Sequence, residues 1–349
     1  MNRVLVLNIN DYNSGYGGQA TFIKNLHPYL SEVSTLKYLV VPEFFTKHHI
    51  IPLRFIYFFQ VMFFLLFNRN KFDLVISHTP EASFVASLFK IPFIHIFHGN
   101  KNALTKSIFW YGKYFKWVFE SFDKRIIKKA AKLYTVGEYR ENAEKFYNPI
   151  DFHLTQFIEP AERKDFVFAG RLEVMKNIDS IIDIYNSLPL IYKTNNNLNI
   201  IGAGTQETAL KKYVNKLNLN EKVLFHGQLT NEKAIEIISK SLILLMSSSH
   251  EGFPMVIAES LTVGTPVIST DVGDISSVIN NGYNGFLLPL GYDKSSYAEK
   301  IIELLTDYQR ISTNAIKSSN VFKAKEIASK FISECEGIIN CNSDCREKY

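Results

Sequence analysis

Arg171 and Lys176 stand five residues apart in Phe168-Ala-Gly-Arg-Leu-Glu-Val-Met-Lys176, where a strand-like run gives way to a helical one. A guanidinium offers a planar fork and an ammonium a mobile point charge, so two such cations on one loop suit a diphosphate. A solvated pair of surface cations would account for the same two residues without a ligand. The segment Ser247-Ser-Ser-His-Glu-Gly-Phe-Pro-Met-Val-Ile-Ala-Glu-Ser260 carries more. A strand ends near Met246, a loop containing Gly252 follows, and a helix is expected from about Met255. The main-chain N–H groups of Gly252, Phe253 and Met255 then lie where a helix N-terminus binds anions, while Pro254 has no N–H to give. Glu251 falls in the loop and Glu259 in the first two helical turns. A carboxylate beside an anion site is unfavourable unless it faces something else, and sugar hydroxyls qualify because a carboxylate accepts two of them at once. A helix-start acid and a surface acid explain each glutamate singly but leave the loop as a whole unexplained.

These loops need a scaffold, and the chain supplies one by alternating strand and helix. Arg3–Asn8 reads as a continuous apolar strand. It is followed by the turn Ser14-Gly-Tyr-Gly-Gly-Gln19 and a helical pattern over Ala20–Leu30. Asp73–Ser77, Phe93–Phe97 and Leu133–Val136 are further strand-like runs, with Ala82–Phe89 helical. Periodicity weakens from Asn148-Pro149-Ile150-Asp151 to Arg163, then alternation restarts. Strands are expected at Phe166–Ala169, Leu198–Ile201, Val223–His226, Leu242–Met246 and Val267–Thr270. Helices are expected at Ile178–Leu188, Glu207–Leu217, Lys233–Ser239 and Val256–Val263, and Tyr297–Leu305, Gln309–Ser318 and Phe322–Ile339 follow. The expectation is an α/β chain of two doubly wound parallel-sheet domains facing a cleft, with ligands at the carboxyl ends of the strands. The boundaries read as 1–150, a linker at 151–165, a second domain at 166–320 and a helical segment at 321–349.

Composition narrows the class. The 349 residues are 46% hydrophobic and 21% charged, enough for packed cores and against wholesale disorder. The three cysteines, Cys335, Cys341 and Cys345, form no disulfide framework and a poor zinc site, so a reducing compartment fits and no metal is expected. The first apolar run, Val4–Leu7, is too short for a secretory signal. The longest, Phe55–Phe67, would span roughly 20 Å as a helix against the roughly 30 Å of a hydrocarbon core, so it reads as buried or interfacial. The net charge of +5 divides unevenly: residues 1–150 carry 19 Lys+Arg and 10 Asp+Glu, whereas 151–349 carry 20 and 24. Nine cations lie between Lys101 and Lys132, against Glu120 and Asp123, among aromatic residues from Phe109 to Phe122. Such mixing suits an anionic lipid surface, though an ordinary amphipathic helix has the same pattern. No nucleic-acid motif accompanies it.

Taken together, Glu251 and Glu259 with seven residues between them, preceded by Phe168-Ala-Gly-Arg-Leu and Lys176, resemble glycosyltransferase family 4, retaining enzymes of the GT-B fold. Gly17-Gly18, His98-Gly99, Asn148-Pro149-Ile150-Asp151, Ile201-Gly-Ala-Gly204, Val223-Leu-Phe-His-Gly227, Gly264-Thr-Pro-Val267 and Asn284-Gly-Phe-Leu287 match in the same order. The resemblance is dense over 166–289 and looser before 150. It implies that Arg171 and Lys176 neutralise the donor diphosphate, Glu259 accepts ribose hydroxyls, and Glu251 holds the transferred sugar. It also implies that Gly252, Phe253, Pro254 and Met255 lie near sugar and phosphate, that Gly17, Gly18, Gly170, Gly204 and Gly227 border the donor, and that His98 is the active-site histidine. Taken without the family, His95 and His98 also fit as hydrogen-bonded core or turn histidines.

The function implied is retaining transfer of a sugar, from UDP by family frequency, to a glycan acceptor. A lipid-linked acceptor at the inner face of a bacterial membrane, in cell-surface polysaccharide assembly, fits the basic aromatic segment. That would make the protein cytoplasmic and peripheral. No Asp-x-Asp occurs, so the positive charge is expected from Arg171, Lys176 and the helix N-terminus rather than a metal. The alternatives are a nucleotide-sugar 2-epimerase, a non-catalytic carbohydrate-binding protein, and a nicotinamide dehydrogenase. Against the last, Glu207 occupies the third glycine's place after Gly202-Ala-Gly204.

Overall fold

The computed structural model describes residues 1–9, 11, 18–42, 53–89, 91–98, 116–136, 142–150 and 158–346. Gly17, Gly99, Asp151 and residues 101–115 of the basic segment lie outside that range. The chain divides into two units: Met1–Pro149 with Ala324–Tyr349, and Ile150–Lys323.

The first unit contains β1 (Asn2–Leu7), α1 (Gly18–Val33), β2 (Ser34–Leu39), α2 (Leu53–Asn68) and β3 (Leu74–Ser77). It continues with α3 (Pro80–Ala86), β4 (Phe93–Phe97), α4 (Lys116–Lys129), β5 (Lys132–Thr135) and β6 (Glu144–Lys145). The strands form one sheet in the order β2-β1-β3-β4-β5-β6, every pairing parallel. Because successive side chains point to opposite faces, Val4 and Val6 enter one core while Leu5 and Leu7 enter the other. The Leu5 face is covered by Tyr57, Val61 and Leu65 of α2 and by Ala82, Val85 and Ile126. The Val4 face is covered by Phe22, Ile23 and Leu26 of α1 and by Ala328, Phe331 and Cys335 of the last helix, Ala324–Arg346. Phe331 packs its ring against Tyr134 and Phe146, and Glu334 accepts from Tyr134 and pairs with Lys132 at 3.2 Å. The final helix thus belongs to the first unit's core.

The second unit contains β7 (Phe166–Ala169), α5 (Ile178–Ser187), α6 (Leu190–Asn195), β8 (Leu198–Ile201), α7 (Glu207–Lys216), β9 (Val223–Gly227) and α8 (Asn231–Lys240). After these come β10 (Ile243–Leu245), α9 (Met255–Thr262), β11 (Val267–Thr270), β12 (Gly285–Leu288), α10 (Lys294–Thr306) and α11 (Tyr308–Ser318). Its sheet order is β12-β11-β10-β7-β8-β9, again all parallel. Phe166, Phe168, Ile200, Leu245 and Ile268 face one core with Ile178, Ile181, Tyr297 and Ile301. Within the stretch expected to be a linker, residues 158–165 are tied to this unit. Arg163 is buried and donates to Thr265 Oγ1 at 2.9 Å and to the carbonyls of Val263 at 2.5 Å and Ile158 at 2.9 Å. Asp165 accepts from the Asn197 N–H at 2.7 Å, and the Lys164 N–H donates to the Lys240 carbonyl at 2.9 Å, so polar contacts anchor a segment whose apolar periodicity is weak.

Among the described residues no helix is long and apolar enough to cross a membrane.

Candidate active site

In the second unit the chain moves from β7 outward to β8 and β9, then returns to lay β10, β11 and β12 on the other side of β7. The order reverses between β7 and β10, and a doubly wound sheet opens a crevice at the carboxyl ends of such a strand pair. The loops leaving β7 and β10 are laced together there. Asn177 Nδ2 donates to the Ser247 carbonyl at 2.9 Å. Ser247 Oγ donates to the carbonyls of Lys176 at 2.9 Å and Asn177 at 2.7 Å. The Ser249 N–H reaches the Met175 carbonyl at 2.8 Å.

This lacing carries Lys176 to Glu251. Lys176 Nζ lies 2.5 Å from Glu251 Oε1, and Ser248 Oγ donates to the same oxygen at 2.7 Å. The two side chains are only 13% and 10% exposed, so each charge has lost most of its hydration and depends on its partner. The sequence assigned one to phosphate and the other to sugar; the structure adds that they bind each other.

The helix expected near Met255 begins at Met255, after Pro254, with no side-chain cap. The Ile257 N–H donates to the Pro254 carbonyl at 3.1 Å, while the N–H groups of Met255 and Val256 have no acceptor one turn back, as at any helix start. Gly252 is braced from behind by the loop after β11. Asp274 N–H donates to its carbonyl at 2.9 Å, and a Cβ on Gly273 (φ 62°) would lie 2.4 Å from the carbonyl oxygens of both Glu251 and Gly252. Sequence reasoning missed Gly273; a glycine just past the β11 strand was the available signal. The Phe253 ring packs 5.7 Å from that of Phe322.

Arg171 sits exposed on the β7 loop. Glu173, on the same loop, accepts from Thr205, and that hydroxyl and amide, with the Arg171 charge, hold its carboxyl below the usual range. Gly202 and Gly204 have a packing reason for lacking a Cβ. One would meet the Gly170 carbonyl oxygen at 1.9 Å, the other the Leu172 carbonyl oxygen at 2.4 Å. Gly227 has open space but a φ of 65°. Glu259 is half-buried on α9, and desolvation pushes its carboxyl up to about 7 against the opposing pull of its hydrogen bond with Asn231.

In the first unit the order reverses between β1 and β3. Two histidines follow adjacent strands there, His78 directly after β3 and His98 directly after β4. His78 Nδ1 and His98 Nε2 are 2.9 Å apart, one donating and the other accepting, and the Phe22 ring makes a T-shaped contact with each, the centroids 5.7 Å apart. Burial lowers both: His98 to about 4, and His78 well below the ordinary value, with the neighbouring imidazoles adding to the effect. His78 was not singled out from the sequence, although it ends its strand as His98 does. His95 is buried with Nδ1 2.6 Å from Ser83 Oγ and reads as a core residue. Gly18 opens α1. Among the described residues no cluster of three or more His, Cys, Asp or Glu could hold a metal ion.

Two parallel six-stranded sheets, each doubly wound and each carrying polar groups where its order reverses, define the GT-B class. The HepE protein of Anabaena, solved in complex with UDP-glucose, superposes with a TM-score of 0.69 at 18% identity, covering 96% of this chain and 99% of that one. Residues 150–318 match the family of glycosyl transferases group 1. An uncharacterized glycosyltransferase of Methanocaldococcus jannaschii is 26% identical over 273 residues, 76% of this chain and 73% of the relative. The lipopolysaccharide 1,6-galactosyltransferase of Escherichia coli is 31% identical over 138 residues, 38% of this chain and 37% of that protein. The chain thus spans little more than a third of the galactosyltransferase.

Proposed function

We propose that the protein is a retaining glycosyltransferase of family 4 that moves a hexosyl group from UDP to a glycan acceptor. The observation that carries this reading is the Lys176–Glu251 pair at the sheet reversal of a glycosyl transferases group 1 region, next to the N-terminus of α9. A nucleotide sugar presents anionic phosphates beside hydroxyl groups. On its entry Lys176 turns to the diphosphate and Glu251 to sugar hydroxyls, so each exchanges one charged or polar partner for another. Arg171 adds a second cation, the α9 amides a third positive element, and Glu259 accepts ribose hydroxyls. The binding of UDP-glucose by the HepE protein supports the choice of UDP.

The acceptor hydroxyl attacks the anomeric carbon from the face that the diphosphate leaves. A new C–O bond forms, the bond to the phosphate oxygen breaks, and the hydroxyl proton passes to the departing diphosphate. Stabilising that growing negative charge is the main catalytic contribution of Arg171, Lys176 and the helix amides, with no metal required. His98, neutral in its apolar surroundings, bonds a sugar hydroxyl. The acceptor is a lipid-linked glycan of cell-surface polysaccharide assembly, a reading that the resemblance to the lipopolysaccharide enzyme supports. The basic segment Lys101–Lys132 meets an anionic membrane on its cytoplasmic side.

Thermal shift with UDP-, GDP- and ADP-sugars tests the donor, since a ligand of the native state raises the melting temperature. The UDP-sugar is expected to give the largest shift. Product analysis by NMR, with acceptor present, is expected to return the donor's anomeric configuration; an inverted product, or epimerised donor without transfer, would discard this reading.

A further inference from the structure

α2 is apolar on every side. Tyr57, Val61 and Leu65 are buried in the core, yet Phe55, Phe59, Phe63, Leu66 and Phe67 on the opposite stripe are 37–77% exposed. The stripe runs about 18 Å along the helix. α2 has no acidic residue and a single charge, Arg54, which Glu81 neutralises through both carboxylate oxygens at 3.0 Å. Between α2 and α4 opens a pocket of about 230 Å³, walled by Phe55, Phe58, Phe59, Val118, Phe119 and Phe122, with the Arg54–Glu81 pair beside them. With that pair self-compensated, the pocket suits an uncharged chain and not a phosphate. The helix forming its other wall is basic: α4 carries Lys116, Lys124, Arg125, Lys128 and Lys129 against Glu120 and Asp123, and Trp117, next to the wall residue Val118, is 72% exposed. An acid-free aromatic stripe, a hydrocarbon-sized pocket and a neighbouring cationic helix together match the interface of an anionic bilayer, where rings enter the acyl boundary and ammonium groups meet phosphates.

We infer that the α2 stripe is the membrane-docking face, and that the α2–α4 pocket takes one acyl chain of an anionic bilayer lipid. This rests on the membrane reading above but adds the inserting element, α2, which lies outside the basic segment, and the chain site that α2 shares with α4. The test uses the full chain and vesicles of phosphatidylcholine with or without phosphatidylglycerol. The wild type is expected to sediment with the anionic vesicles. The triple variant Phe59→Ser, Phe63→Ser, Phe67→Ser alters only exposed rings and is expected to lower partitioning about a hundredfold, roughly fivefold per ring. In a Trp110→Phe background, brominated acyl chains are expected to quench Trp117 fluorescence. Circular dichroism and the UDP-glucose thermal shift report folding and donor binding separately. Loss of sedimentation with both retained supports the proposal. Equal sedimentation by the variant, failure of the wild type to sediment, or unquenched Trp117 overturns it whatever the donor assay gives. A concentration-dependent dimer abolished by the same substitutions would assign the stripe to a second copy and also overturn it.

Discussion

At the reversal point of the second sheet, Lys176 and Glu251 meet as an ion pair on loops stitched by Asn177, Ser247 and Ser249. At the reversal point of the first sheet, His78 and His98 meet as an imidazole pair held neutral by burial against Phe22. The same topology therefore hosts opposite solutions to bringing polar groups out of water. One cancels charge with charge and remains ready to exchange partners with a charged ligand. The other keeps its groups uncharged and hydrogen-bonded, which suits orienting a neutral hydroxyl and not binding phosphate. A static pair can do either task only if what surrounds it permits the exchange, and the surroundings differ: backbone lacing in one, aromatic edges in the other.

The comparison breaks most visibly through activity. Lys176→Ala is expected to reduce the transfer rate about a thousandfold, and Arg171→Ala by a comparable factor, because each removes preorganised charge from the leaving diphosphate. Initial rates with a UDP-sugar measure this, with circular dichroism confirming the fold. Near-normal turnover in both variants would exclude the diphosphate clamp. His98→Ala is expected to cost less, about a hundredfold. His78→Phe retains a ring but removes the hydrogen bond to His98, so it should move the pH profile of kcat as well as its height.

Stability sharpens the comparison further. Gly202→Ala forces a Cβ to within 1.9 Å of the Gly170 carbonyl oxygen and is expected to cost about 3 kcal/mol in urea denaturation. Gly227→Ala, with open space and only a positive φ, should cost about 1 kcal/mol.

The smallest effect is the pH dependence, and its sign differs between the two units. The His98 pKa falls from 6.5 to about 4 on folding, so the stability that its neutral form gives is full above 6.5 and fades as pH drops through 4. The Glu259 pKa rises from 4.5 to about 7, so its contribution is full below 4.5 and is lost as pH rises through 7. Through these two groups, acidification between pH 4.5 and 6.5 should therefore weaken the first unit and strengthen the second. Hydrogen exchange resolved by unit measures this. Glu259→Gln should remove its contribution from the second unit's slope alone; a slope unchanged by that substitution would contradict the assignment.

The interior of each sheet was legible because a parallel strand buried on both faces reads as an unbroken apolar run. β7 and β10 are wholly apolar, and β1, β3, β4, β8 and β11 nearly so, each broken only by polar residues such as His95 in β4 and Asn199 in β8. The strands that the sequence reading omitted are β2, β6 and β12, and all three lie at sheet edges. Ser34-Thr-Leu-Lys-Tyr-Leu39 mixes polar and apolar residues because an edge strand is covered incompletely, so it gives neither a continuous apolar run nor a clean alternation. α2 was recognised as a helix from its apolar run. Composition could not reveal which of its faces stays uncovered, since both faces carry aromatic residues.

For the candidate site, residue type and local spacing alone determined that Arg171, Lys176 and Glu251 lie in loops after strands and Glu259 on the helix that follows, because a βα turn is a local event. Which of them meet was decided by the sheet order. Lys176 and Glu251 are 75 residues apart and come together only because β10 returns to pair with β7. His78 joined His98 by the same route, through the β3–β4 pairing. A protonation state set by burial, such as that of Glu259, depends on neighbours from other elements, and tertiary packing alone supplies them.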